Sequence, residues 1–251
     1  MRIVSLSPSA TDVLIRLGLV DEIKAVSAFC PAYVGEVKGK PIAGDYMSVK
    51  RVLLKKLRPD FVVITSGIQR QIKETLKGLG IRILEYPVPV TLGGLLENVL
   101  KLGILVGRSR EALKLYQELK DDLMRIANLR AWRGLKAYVE IWVSDRVMTG
   151  LTSYVSDVIR TLGAVNINDD LVDPFPPLDR EKVIREDPDL VIINSDFEPV
   201  DMNRLIEERN WESIKAVKNR RIMVLGVERS LSHYGPKLIE TIDFLARAFK
   251  E

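Results

Sequence analysis

Along residues 108–132, RSREALKLYQELKDDLMRIANLRAW, apolar side chains return every three or four positions: Ala112, Tyr116, Leu119, Leu123, Ile126 and Ala127. Lys, Glu, Asp and Arg fill the places between them. That period sets the six on one stripe of an α-helix. Ser109 suits its N-cap, and Glu111 suits the positive end of its dipole. With no Gly or Pro inside, a helix of about 22 residues reaches roughly 33 Å. The stretch predicts a stiff strut with a lobe on either side.

The pattern changes outside the strut. Arg58-Pro59-Asp60 leads into residues 61–67, FVVITSG, and Asp187-Pro188-Asp189 leads into residues 190–196, LVIINSD. Short unbroken β-branched runs of this kind mark strands buried on both faces of a parallel sheet. The Pro-Asp step ends a preceding helix. A second pair echoes in the same order: residues 11–18, TDVLIRLG, and residues 156–163, SDVIRTLG, each a capped helix stopping at a glycine. Residues 3–6, 25–27, 81–84, 138–141 and 221–225 read as further strands. Residues 205–218 and 236–249 read as helices. The fold class expected is α/β: two Rossmann-like lobes with mostly parallel central sheets joined by one long α-helix. The boundaries expected are 1–107, 108–132 for the bridging helix, and 133–251.

Composition narrows the function. The 251 residues are 47% hydrophobic with a net charge of +4, normal for a globular chain with a sizeable core. Lys and Arg are spread along the chain without interleaved aromatics, so nucleic acid is not expected as a partner. One Cys excludes an internal disulfide, and one His excludes a multi-His metal site; no resident metal is expected. No apolar run reaches the roughly 18 residues of a membrane span. Met1-Arg2 is followed at once by a strand, which favours a cytoplasmic chain, or an extracytoplasmic one whose leader has been removed. There is no Gly-x-Gly-x-x-Gly, Walker, Gly-x-Ser-x-Gly or His-Glu-x-x-His motif. Asp45, Asp145 and Asp173 have no spacing that singles out an acid–base pair, so no catalytic residue is assigned.

In open α/β sheets ligands collect at the carboxyl ends of the strands. The loops expected there are Ser7-Pro8-Ser9, Phe29-Cys30-Pro31, Gly44-Asp45-Tyr46-Met47, Trp142-Val143-Ser144, residues 173–177 (DPFPP) and residues 230–235 (SLSHYG). They concentrate aromatics in a chain that is only 6% aromatic. A wall of Phe29, Tyr46, Trp142, Phe175 and Tyr234 suits a large flat ligand held between the lobes. Ser7, Ser9 and backbone N–H groups would add directed hydrogen bonds. His233 reads either as a hydrogen-bonded loop histidine or as an axial ligand to a corrinoid cobalt. For haem, Met47 with His233, or Tyr46 or Tyr234, would fill that role. Cys30 reads as a buried thiol.

At these residues the chain resembles the two-lobed substrate-binding proteins of ABC importers for cobalamin, haem and ferric siderophores. MRIVSLSPSATDVLIRLGL at the start, RPDFVVITSG, DPDLVIINSD and WESIKAVKNRRIMVLG at 211–226 carry the resemblance over nearly the whole chain. The cobalamin branch is nearest, since Phe175 precedes Arg180-Glu181 as an aromatic does there. The resemblance implies a non-catalytic monomer holding cobalamin or a related corrinoid, or else haem or a ferric siderophore. It also implies an ABC permease partner docked through one carboxylate on each lobe. Glu181 fills the second place. The first falls on Val52 or Lys50, neither acidic, so two anchoring salt bridges are not expected. The candidate binding set is Ser7, Pro8, Ser9, Phe29, Tyr46, Met47, Trp142, Phe175, His233 and Tyr234.

Overall fold

The computed structural model describes residues 1–143 and 146–249. It divides into two compact units: residues 1–88, 94–119 and 233–237 form the first, and residues 89–93, 120–232 and 238–251 the second. The long helix, α6 below, has residues 109–119 in the first and 120–129 in the second.

In the first unit, strands β1 (Ile3–Ser5), β2 (Ile23–Ser27), β3 (Ile42–Gly44), β4 (Phe61–Thr65) and β5 (Ile83–Tyr86) alternate with helices. These are α1 (Pro8–Arg16), α2 (Cys30–Tyr33), α3 (Arg51–Leu57), α4 (Arg70–Lys77), α5 (Leu92–Leu105) and α6 (Ser109–Leu129). The sheet order is β3-β2-β1-β4-β5, every pair parallel. β1 and β4 are buried throughout, as their unbroken apolar runs require. One face packs Val4, Leu6, Ala25, Val62 and Ile64 against Leu54 of α3 and Ile72 and Leu76 of α4. On α6, Ala112, Leu119 and Ile126 of the predicted stripe are buried, joined by Leu115.

The second unit holds β6 (Lys136–Val143), β7 (Arg146–Val147), β8 (Val165–Asn166), β9 (Leu190–Asn194) and β10 (Ile222–Leu225). Its helices are α7 (Tyr154–Thr161), α8 (Arg180–Glu186), α9 (Met202–Arg209), α10 (Lys215–Lys218) and α11 (Lys237–Ala248). β10, β9 and β6 run parallel, β8 pairs parallel with the start of β6, and β7 turns back antiparallel on its end. The expected α/β architecture, with two mostly parallel sheets, is the one observed. One predicted element splits. Residues 205–218 are not one helix, because Asn210 ends α9 in the left-handed region at φ 54° and Trp211 turns into the core.

The sequence echo has physical content. Ser7 and Ser153 cap α1 and α7 through their side chains, and Gly18 and Gly163 follow the two helices with φ of 75° and 93°. α3 and α8 both end on a left-handed residue, Arg58 at φ 46° and Asp187 at φ 47°, directly before Pro-Asp. The Asp then closes the first strand of its unit in both directions. Asp60 accepts from the Arg2 N–H at 2.6 Å and donates its own N–H to Arg2 O at 2.8 Å. Asp189 does the same with Lys136, at 2.8 Å both ways.

A second aspartate pair sits in the echoed helices. In the first unit, Asp12 Oδ2 accepts the Lys237 N–H at 2.8 Å and faces His233 Nε2 at 3.0 Å, while Oδ1 accepts Arg16 Nε at 3.1 Å. Tyr33 stacks on His233 at 5.4 Å, and Lys237 Nζ donates to Tyr33 O at 3.0 Å. In the second unit, Asp157 Oδ2 accepts the Leu92 N–H at 2.7 Å. Lys237 and Leu92 are the first residues of α11 and α5, so each carboxylate satisfies a donor at the positive end of a helix. Burial opposes the Asp12 charge. The bond to His233 and its charge, then Arg16 and the Lys237 N–H, nonetheless hold its carboxyl below the usual range.

Because its folded pKa is depressed, Asp12 stabilises the protein above the ordinary carboxylate pKa near 4, and that contribution fades as pH falls through the folded value. Urea unfolding of Asp12→Asn should show about 1–3 kcal/mol of lost stability at pH 7 and a shallower decline between pH 5 and 2 than wild type. Parallel declines would assign the acid sensitivity elsewhere. At Gly150, a Cβ would fall inside the contact shell of the Asp173 carbonyl oxygen, whereas at Gly35 it would meet open space. Gly150→Ala should therefore cost about 1–3 kcal/mol, and Gly35→Ala should leave the urea midpoint nearly unchanged.

Candidate functional site

The expected binding residues divide into two groups, buried and presented. Ser7, Pro8 and Ser9 are buried at the start of α1, where a parallel strand feeds a helix through a tight turn. Ser7 Oγ accepts from the Ala10 N–H at 3.4 Å and from Thr65 Oγ1 at 3.0 Å, and Ser9 Oγ accepts the Tyr234 N–H at 3.1 Å. The Tyr234 hydroxyl meets Thr65 Oγ1 at 3.0 Å, and its ring stacks on Tyr86 at 6.0 Å. Burial pushes the Tyr234 hydroxyl up to about 12. His233 is only 3% exposed; Asp12 occupies the approach to Nε2, and Nδ1 is buried without a hydrogen-bond partner among the described residues. Ser7, Ser9, His233 and Tyr234, expected at the binding site, are therefore engaged with partners inside the first unit. They are interior groups whose bonds hold residues 233–237 in the first unit. Thr11 extends this polar interior, bonding Ser5 Oγ and Ser7 O at 2.8 Å each. Cys30 lies beside it, 3.1 Å from Ser27 Oγ, with its thiol pushed up by burial.

The other residues are presented at strand ends. Phe29 follows β2 and Tyr46 follows β3; both are half-buried, with their rings stacked at 4.8 Å. The turn carrying Tyr46 is built by Asp45, whose Oδ1 accepts the N–H groups of Met47 and Ser48 at 2.7 Å each. Those two bonds hold the Asp45 carboxyl below its ordinary range. Gln69 Nε2 ties the same turn to the sheet through Asp45 O at 3.0 Å. Met47 stands beyond it, 69% exposed.

In the second unit, β6 puts Tyr138, Glu140 and Trp142 on one face by the two-residue period of a strand. Glu140 and Arg209 form a buried bidentate pair, Nη1 to Oε2 at 2.7 Å and Nη2 to Oε1 at 2.9 Å, and the Tyr138 hydroxyl donates to Oε2 at 2.8 Å. The Arg209 guanidinium lies 4.7 Å from the Trp211 ring centre and 5.5 Å from that of Trp142. Trp142 is 51% exposed, so it offers a ring backed by a cation that Glu140 fixes in place. Phe175 is half-buried in a loop that Arg146 holds, pairing with Asp173 at 2.7 Å and donating also to Phe175 O. The bond from the Phe175 N–H, then Arg146, keeps the Asp173 carboxyl low. Glu181 is exposed in the first turn of α8 with no ion-pair partner among the described residues. Ser144 and Asp145 lie outside the described residues.

Sequence reasoning missed Asp12, Glu140 and Arg209. Asp12 was visible as the repeated Thr/Ser-Asp step. The Glu140–Arg209 pair had no such signal, since its members stand 69 positions apart. No group of three or more His, Cys, Asp or Glu able to hold a metal ion occurs among the described residues, and none of their helices is long and apolar enough to cross a membrane.

Comparison with known proteins bears on the family and the fold. The family described as periplasmic binding protein matches residues 3–228. YvrC of Bacillus subtilis, described as an uncharacterized ABC transporter substrate-binding lipoprotein, is 24% identical over 257 residues, covering 98% of this chain and 79% of its own length. A cobalamin-binding protein of Halobacterium salinarum is 24% identical over 195 residues, covering 76% of this chain; the match spans about half of that relative, 53%. The crystal structure of the periplasmic haem-binding protein HutB of Vibrio cholerae superposes with a TM-score of 0.86 at 18% identity, covering 100% of this chain and 99% of that one; at that identity the likeness shows the fold. The chain is a non-catalytic ligand-binding protein, and it belongs to the periplasmic binding protein family.

Proposed function

We propose that the chain binds cobalamin or a related corrinoid on the rings presented at its strand ends: the Phe29–Tyr46 stack, Trp142 and Phe175. The observation that carries the reading is the stiffening of those rings. A large flat ligand gains most from aromatic surface that loses little conformational freedom on binding. Phe29 and Tyr46 brace each other above an aspartate-built turn, and Trp142 rests on a guanidinium locked by Glu140. The cobalamin-binding relative supports the same choice. In this reading the protein acts as a monomer, and Glu181 is the carboxylate offered to an ABC permease.

Haem is the second reading, favoured by Met47. Its side chain is exposed one position after Tyr46, and thioether and phenol are both iron ligands of known type.

Calorimetric titration with cyanocobalamin should give saturable one-to-one binding. Trp142→Ala and Phe29→Ala should each weaken it roughly 10-fold. Arg209→Met should weaken it too, through a Trp142 ring left unsupported, while also lowering stability by about 3–5 kcal/mol because Glu140 stays buried without its partner. A haemin Soret shift abolished by Met47→Ala, with no cobalamin binding, would transfer the assignment to haem. Binding of neither ligand sinks both readings.

A further inference from the structure

The outer helical layer of the first unit has an unusual charge. Residues 50–77, which contain α3 and α4, carry eight Lys or Arg and two acids, a net +6 against +4 for the whole chain, so the remainder is net negative. Both acids are already paired: Asp60 with Arg2 at 3.9 Å and Glu74 with Lys77 at 3.0 Å. Lys73 is taken by Glu85 at 2.6 Å. The other six cations are Lys50, Arg51, Lys55, Lys56, Arg58 and Arg70. All are exposed, and none has an ion-pair or hydrogen-bond partner for its side chain among the described residues. Elsewhere the surface cations are commonly paired, as Lys101 with Glu97 and Arg204 with Glu208 show.

The helix geometry aims these charges outward. Leu54 is the fully buried residue of α3. Val52, Lys55 and Lys56 fall on the opposite side by the three- and four-residue spacing of a helix. Val52 is 83% exposed at the centre of that stripe. At that exposure Val52 buries little apolar surface within the fold and stands among cations without partners. It suits a surface whose outer layer is anionic and whose next layer is hydrocarbon. Lysine ammonium groups on flexible stems match a fluid sheet of phosphates better than a fixed constellation of carboxylates. Neither α3 nor α4 contains an aromatic side chain, so a nucleic-acid strand would find no ring to stack on.

We propose that the outer face of α3, with the head of α4, is a docking surface for an anionic lipid bilayer. The cations approach the phosphates, and Val52 reaches the headgroup region. This surface is independent of the ligand reading, and its failure would leave that reading intact.

The test is vesicle co-sedimentation of the full chain. Wild type should bind phosphatidylcholine vesicles containing about 30% phosphatidylglycerol, ignore pure phosphatidylcholine, and be released at about 0.5 M salt as the charges are screened. Lys55→Glu/Lys56→Glu should weaken binding about 10-fold or more. Arg110→Glu/Lys120→Glu, an equal charge change on exposed positions of α6, should stay within about 2-fold of wild type. Circular dichroism should show both variants folded. Equal losses in the two variants, binding that survives the Lys55/Lys56 reversal, or no binding to anionic vesicles would overturn the proposal. Capture of soluble polyglutamate by wild type but not by Lys55→Glu/Lys56→Glu, with vesicles left unbound, would also overturn it and reassign the face to an acidic protein partner.

Discussion

Two carboxylates carry the design of this chain. Asp12 and Asp157 occupy the same place in echoed helices, and each accepts the first backbone N–H of another helix, Lys237 of α11 and Leu92 of α5. A helix start leaves donors with no partner inside the helix. A carboxylate there satisfies one of them and complements the helix dipole. The consequence for topology is that a short segment distant in sequence is fixed to each unit: residues 233–237 to the first and residues 89–93 to the second. Asp12 does more than Asp157, because it also bonds His233 and Arg16.

The parallel sheets explain why the polar and aromatic groups sit where they do. Strands such as β4 and β9, buried at every position, need helices over both faces and leave only the strand ends to polar chemistry. Which end is set by the Pro-Asp steps. Asp60 and Asp189 close the entry end of the first strand in each unit through paired backbone bonds. With that end sealed by structure, the exit loops are the ones free to carry Phe29, Tyr46, Trp142 and Phe175.

Much of this was legible in the chain. The long helix, the β-branched runs and the Pro-Asp echo each rest on local periodicity or turn chemistry, and each reads directly as an element. The break at Asn210 was not legible, because the apolar pattern continues across it and only the burial of Trp211 selects the turn. The site was half legible. Aromatics in exit loops could be picked out by composition, and Phe29, Tyr46, Trp142 and Phe175 are presented. Ser7, Ser9, His233 and Tyr234 look the same in sequence, yet they are interior. The difference lies in long-range partners, Asp12 for His233 and Thr65 for Tyr234, which are 221 and 169 positions away. No local pattern reports such pairs.

The two units solve the same structural problem with different chemistry. The first unit fills its strand-end interior with neutral hydroxyls, Ser5, Ser7, Thr11 and Thr65, linked to Tyr234. Each member is both donor and acceptor, so the network tolerates small shifts by rotating protons. The second unit uses a buried Glu140–Arg209 pair, whose fork geometry fixes orientation and tolerates little. Retaining that pair carries a desolvation penalty which an apolar pair would avoid. Its compensation is the placement of a guanidinium under an exposed Trp142 ring. A buried charge pair that holds an exposed aromatic is hard to explain by stability alone. The same guanidinium also lies over the buried Trp211 ring, so the pair ties strand β6 to the end of α9 as well as backing Trp142.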